Sequence, residues 1–177
     1  MKELPNQKII MFDSDALIDI AKAFLENKNE IVSFYEKLKQ LVNQSKIKVV
    51  YTHIQIDQIT CKDQKEIIGK FFKELKAELI PTGIAIYDYS CYDMCKYGDE
   101  IKHQLYEKLK APESKESWIK DLILVLTSND IDIFVVNDRG IHHAIKQIKN
   151  KYKQMICEVY TLKEFQNLLE NTNTVIK

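Results

Sequence analysis

The sequence predicts an α/β fold, a central and mainly parallel sheet with helices on both faces in a three-layer α/β/α arrangement. Two observations predict it. Short β-rich apolar runs alternate with stretches whose apolar residues recur at helical spacing, and strand leads into helix again and again, the order that makes parallel neighbours. The composition agrees: 45% apolar and 29% charged residues, with only four glycines and three prolines among 177 residues, describe a helix-rich globule rather than a disordered chain.

A chain of this length is expected to fold as a single domain over 1–177, with 171–177 a flexible tail, and to bury roughly 70% of the surface its unfolded form exposes. The elements follow in order. "KIIMF" (8–12) reads as a strand, and the spacing of Ala16, Leu17, Ile20 and Phe24 predicts a helix directly after it. The charged break "ENKNE" separates this from a second helix, marked by Ile31, Phe34, Tyr35, Leu38, Leu41 and Val42. "IKVVY" (47–51) is the next strand, and Thr52 with Gln55 forms a capping-box pair that opens another helix.

"DQKEIIGKFFKELKAEL" continues helically until "PTG" breaks it, and "IAIY" (84–87) is expected as a short strand. A helix around 99–109 and the surface loop "KAPESKES" follow, and then a helix from Trp118 to about Ser128 with Ser117 as its cap. The strand "IDIFVV" (131–136), the helix "RGIHHAIKQIKNKY", the strand "MICEVY" and the helix "LKEFQNLLE" complete the pattern. No internal repeat interrupts it.

Several function classes drop out early. No apolar run approaches the ~20 residues of a membrane span, and "MKELPNQ" is no signal peptide, so a cytoplasmic protein is expected. Cys61, Cys91, Cys95 and Cys157 suit that compartment as reduced thiols, because no second Cys/His pair completes a zinc set around Cys91 and Cys95. The formal net charge is zero, so attraction to nucleic acid has to be local.

Four acids stand out by position. In parallel sheets ligands collect beyond the carboxyl ends of the strands, and Asp13 and Asp138 each follow a strand directly or nearly so. Each also suits a helix N-cap, since Asp accepts backbone N–H bonds there. Asp121 lies in "WIKDLILVL", where only it and Lys120 are not apolar, and a buried carboxylate without a partner costs several kcal/mol. It needs either a distant ion-pair partner or a cation. Asp57 lies in "YTHIQIDQI", one turn into the helix after the second strand, and is either a solvated face residue or a fourth member of the set. Together such carboxylates suit Mg²⁺ or Mn²⁺, which take oxygen ligands and activate water against a phosphodiester. Without a cation they repel one another.

These motifs resemble the PIN-domain family, metal-dependent ribonucleases that include the toxins of many bacterial toxin–antitoxin pairs. "FDSDALIDI" is similar to the family's opening motif and "FVVNDRG" to its closing one, while "VVYTHIQIDQI" and "WIKDLILVLTS" fall where the family places its helix acids. The resemblance spans most of the chain and implies a PIN-like fold. It further implies a divalent-metal-dependent endoribonuclease acting on single-stranded RNA, with Mg²⁺ or Mn²⁺ held by Asp13, Asp57, Asp121 and Asp138, which would also be the catalytic acids. An antitoxin protein and a homodimer are the partners it suggests. The chain departs from the family at Asp57, where Glu is usual, at Val136, where Thr is frequent, and in its greater length between about 62 and 117.

The RNA path is sought next to Asp138. "RGIHHAIKQIKNKYK" carries five Lys and Arg residues and no acid, with Arg139, Lys146 and Lys149 on one helical stripe that can track phosphates or simply face water. His142 and His143 are surface histidines or metal ligands. Tyr87, Tyr89, Tyr92 and Tyr97 can stack on bases or close a core. Two rival readings remain. "FDSDALID" also resembles the opening of haloacid-dehalogenase-type phosphatases, with Asp13 as nucleophile and Asp15 as general acid/base, but Asp121 then has no role. A PIN-like scaffold that binds RNA or protein without cleaving is the other.

Overall fold

The computed structural model describes residues 7–86, 94–96, 100–109, 116–143, 145 and 157–171. The chain runs through β1 (Lys8–Phe12), α1 (Ser14–Leu25), α2 (Asn29–Asn43), β2 (Ile47–Tyr51), α3 (His53–Gln58), α4 (Lys62–Glu74) and β3 (Glu78–Leu79). It continues through α5 (Glu100–Leu109), α6 (Glu116–Thr127), a 3₁₀ turn (Ser128–Asp130), β4 (Ile133–Val135), α7 (helical over 139–143), β5 (Glu158–Tyr160) and α8 (Leu162–Asn171). The five strands form one sheet in the order β3-β2-β1-β4-β5, and every pairing is parallel. The α/β architecture with an all-parallel central sheet is therefore present as the strand and helix alternation predicts.

Alternation along β1 decides the two layers. Successive strand side chains point to opposite faces, so Ile10 and Phe12 enter one apolar cluster while Met11 enters the other. The first cluster joins β1 to α1, α2, α4 and α8 through Leu17, Ile20, Phe34, Leu38, Phe71 and Phe165. The second joins Met11, Val50 and Phe134 to α5, α6 and α7 through Tyr106, Leu122, Leu126 and Ile141. Both faces are covered, as an all-parallel sheet requires. Phe12 is the hub of the first layer: its ring meets Phe34, Phe71 and Phe165 edge to face at centroid distances of 6.5, 5.9 and 6.0 Å.

Three expectations need correction. The third strand is Glu78–Leu79, not 84–87; 84–86 form no strand, and Ile84 instead packs into the second cluster. Residue 87 lies outside the described residues. The long helix stops at Glu74, five residues before the end of the helical-looking run, because Lys76 turns into the left-handed region (φ 51°) and Ala77 N–H bonds back to the Phe72 carbonyl at 2.8 Å. Ser117 falls inside α6 rather than capping it. The tail expected over 171–177 begins with Asn171, which still belongs to α8, and 172–177 lie outside the described residues. So do Tyr87, Tyr89, Tyr92, Tyr97 and Cys91. Cys61 is exposed, Cys95 half-buried and Cys157 buried, with Cys157 Sγ 3.5 Å from the Ser128 hydroxyl. Among the described residues no helix is long and apolar enough to cross a membrane.

Candidate active site

From β1 the chain steps outward to β2 and β3, then returns to the other flank of β1 as β4. The helices after β1 and β4 therefore leave on opposite faces of the sheet, and parallel sheets place their ligand crevice at such a point. Asp13 follows β1 immediately, and Asp138 stands three residues past β4.

Asp13 is 1% exposed. Its N–H donates to the Val135 carbonyl at 2.8 Å and so carries the β1–β4 ladder one residue further. Its carboxylate caps α1 by accepting the Ala16 N–H on Oδ1 at 2.6 Å, while Oδ2 faces the N–H groups of Asn137 and Asp138 at 3.3 and 3.5 Å. The cap reading holds, and the same side chain also faces the loop after β4. Burial outweighs these bonds and pushes its carboxyl up to about 7, with the Asp15 charge adding to the rise.

Asp138 caps the helix that follows it. Its Oδ1 accepts the Ile141 N–H at 2.8 Å and its carbonyl accepts the His142 N–H at 3.1 Å. Gly140 keeps this geometry open, since a Cβ there would lie 2.9 Å from Asp138 Oδ1.

Asp121 is half-buried on α6 and accepts the Gln58 Nε2 donor on Oδ1 at 3.0 Å. Burial pushes its carboxyl up to about 6; the Gln58 bond opposes the rise, and the charges of Asp138 and Asp15 reinforce it. Asp15, exposed on the first turn of α1, is raised by partial burial and then by Asp138 and Asp19, against Lys22. Asp13, Asp121 and Asp138 thus share one electrostatic environment, and Asp15 joins them.

Asp57 does not join. It is exposed on the outer side of α3, on the wall of a separate cleft, while Gln58 beside it reaches inward. The reason is helical phase. Thr52 and Gln55 form the capping box, and Gln55 also donates to the Phe12 carbonyl, which fixes the inner face of α3. Gln58 is three residues further on the same face, and Asp57 is turned about 100° away from it. Gln58 also accepts the Ser14 hydroxyl on Oε1, so its amide links α1 to α6.

Gln58 was hidden in the sequence because an acid stood next to it, although the cap phase pointed to it. Asn137 was missed too. Its Nδ2 donates to Asp19 at 2.8 Å and its Oδ1 accepts the Leu162 N–H at 2.8 Å, which ties the loop after β4 to α1 and to the start of α8.

Arg139 is exposed directly after Asp138, His142 is half-buried and His143 exposed; Lys146 and Lys149 lie outside the described residues. Val136 is buried.

The donor set is one of carboxylate oxygens, which suits Mg²⁺ or Mn²⁺. Among the described residues no three carboxylate, imidazole or thiol groups stand together as a ready-made cage. Mg²⁺ does not require one, because it is commonly held through one or two carboxylates, waters and substrate phosphates. The acids fit that mode.

Gln58→Glu gives a direct reading of the set. The change removes the donor to Asp121 and sets a carboxylate against it, so the metal-free protein should lose about 1–3 kcal/mol at pH 7.5, a fall of about 3–10 °C in melting temperature. Added Mn²⁺ should raise the variant's melting temperature by more than it raises that of the wild type. Equal Mn²⁺ shifts in calorimetry would show that position 58 does not face the cation.

The chain matches no family model, no curated protein and no solved structure.

Proposed function

We propose that this chain is a divalent-metal-dependent endoribonuclease that hydrolyses phosphodiester bonds of single-stranded RNA. The observation that carries the reading is the shared environment of Asp13, Asp121 and Asp138, in which the first two carboxyls are pushed up to about 7 and about 6. Such carboxyls are an expense to the fold, and titrating groups perturbed by burial and like charge concentrate at functional sites. A divalent cation bound there would neutralise the cluster, polarise the scissile phosphate and lower the pKa of an attacking water.

Each residue then has a part. Asp13 is held from both sides by backbone N–H groups and offers a fixed carboxylate at the crevice floor. Gln58 orients Asp121. Asp15, exposed and raised in proton affinity by the same neighbours, is suited to accept the proton of the attacking water. Arg139 stands at the rim for a backbone phosphate, and the stripe through Lys146 and Lys149 would extend that contact. A toxin role, an antitoxin partner and a homodimer rest on the PIN-family resemblance.

One observation favours a second reading. Position 58 is a neutral amide, so α3 brings no carboxylate to the acids, which suits a scaffold that binds RNA without cutting it.

The test is cleavage of a labelled, structurally varied RNA pool by purified protein with Mn²⁺, beside an EDTA control. Cuts that disappear in EDTA support the nuclease. RNA bound but intact would move the protein to the scaffold class.

A further inference from the structure

A second cleft of about 600 Å³ lies on the other side of α3, where Asp57 is found. Tyr51, Ile56 and Phe72 give it an apolar floor, and the Tyr51 ring lies parallel on Phe72 with centroids 4.3 Å apart. Gly69 and Lys73 of α4 and Lys76 at its exit also line the cleft, beside Phe72 of the same helix.

Two of these residues are unfavourable choices for the backbone they occupy. Gly69 is exposed in the interior of α4, where alanine is the better helix former, and a Cβ there would meet nothing within 4 Å. Packing therefore does not demand a glycine. Lys76 is the converse case, a long side chain at φ 51°, where glycine is favoured. One choice leaves the cleft open and the other puts a cation in it. Lys73 and Lys76 form no ion pair among the described residues, whereas Lys70 on the same helix is held by Glu66 at 2.8 Å.

α3 separates the cleft from the acids: Gln55 and Gln58 reach the Phe12 carbonyl and Asp121, while Ile56 and Asp57 line the cleft. A flat apolar floor beside two cations matches a ligand that joins flat rings to regularly spaced anions. We propose that this cleft is a nucleotide subsite that takes a base of single-stranded RNA flanking the scissile phosphate, with Lys73 and Lys76 on the neighbouring phosphates. Among the described residues Asp57 is the one acid in the lining, beside the two lysines. The proposal rests on RNA being the substrate of the acid site.

Its test measures binding apart from cleavage. The affinity of a fluorescein-labelled single-stranded RNA 10-mer of mixed sequence is read by anisotropy in EDTA. Gly69→Leu fills the cleft and should weaken binding about tenfold, the scale of one lost base stack. Lys73→Ala with Lys76→Ala should weaken it similarly and lower the slope of log affinity against log salt by about 1–2. Lys62→Ala with Lys65→Ala removes the same charge from α4 outside the cleft and should change affinity less than about twofold. Gly69→Leu should melt no lower than wild type, which separates a filled cleft from a damaged fold.

Wild-type affinity retained by both cleft variants would overturn the subsite, and so would a wild type that does not bind the RNA. If wild type cleaves RNA with Mn²⁺ and the cleft variants bind and cleave alike, the nuclease stands and the subsite falls. If nothing is cleaved while Gly69→Leu still loses affinity, the nuclease falls, the subsite beside a scissile phosphate falls with it, and the cleft is left as an RNA-binding site only.

Discussion

Asp121→Asn should abolish RNA cleavage, by at least about 100-fold, and yet raise the melting temperature of the metal-free protein at pH 7.5. Both effects come from one carboxyl. Asparagine keeps an oxygen for the Gln58 donor, so the bond at 3.0 Å survives and only the charge is lost. The charge is what the fold tolerates poorly, since burial first, and Asp138 and Asp15 after it, push the Asp121 carboxyl from 3.8 up to about 6.

The sign follows from linkage. A carboxyl whose folded pKa lies above its unfolded value stabilises the protein fully below the unfolded pKa, and that stability is lost as pH rises through the folded pKa. For Asp121 the window is from about 4 to about 6, and for Asp13 from about 4 to about 7. In EDTA the two melting curves should nearly coincide at pH 4, and the wild type should fall progressively below Asp121→Asn as pH climbs to 7.5. Mn²⁺ at pH 7.5 should reverse the order, because it binds the folded wild type and adds stability by mass action. Scanning calorimetry at pH 4, 5.5 and 7.5 checks this. A variant that melts below wild type at pH 7.5 in EDTA would show that Asp121 is held by a cationic partner and not left for a metal.

Phe12→Ala should cost about 3–5 kcal/mol, a large part of the roughly 5–15 kcal/mol that holds a domain of ordinary stability. The side chain is 1% exposed and its ring is shared by three others, one each from α2, α4 and α8. Its removal leaves a cavity that three helices border, and none can close it without losing the edge contacts of the others. The melting temperature should fall by on the order of 10 °C or more. Phe12→Leu fills most of the volume and should cost less than half as much. Urea unfolding of the two variants measures the difference, and a loss below about 1 kcal/mol for Phe12→Ala would contradict the four-ring packing. Because Asp13 follows Phe12 directly, residual activity in folded Phe12→Ala reports how far the site depends on that packing.

The central strands were legible because "KIIMF" and "IKVVY" are dense in β-formers and bounded by polar breaks, and β1 and β2 occupy those very residues. β3 was not legible. It is two exposed residues long and exists because Val50 and Tyr51 of β2 offer a free edge, a tertiary cause that leaves no hydrophobic pattern. Helix ends were obscured for a related reason. Asn27, Ser45 and Lys76 take the left-handed turn after α1, α2 and α4, where glycine is the usual sign. At the site, Asp13 and Asp138 could be read from their place after strands, and Asp121 from its isolation in an apolar helix. Asp57 was chosen by chemical type, whereas the cap at Thr52 sets a phase that brings Gln58 inward. Asn137 acts through two side-chain bonds to α1 and α8 that no local spacing foretells.

The pairing of β1 with β4 also bears on how the molecule comes into being. Asp13 faces backbone groups 124 residues away along the chain. During synthesis at about 5–20 residues per second, some 6–25 s separate the emergence of the first acid from that of the loop that completes its surroundings. Until then Phe12 and Met11 have only one strand neighbour, β2, and the crevice has one wall. The surroundings of Asp13 are thus completed only after β4 and its following loop have emerged, and any activity that depends on them would be withheld until then.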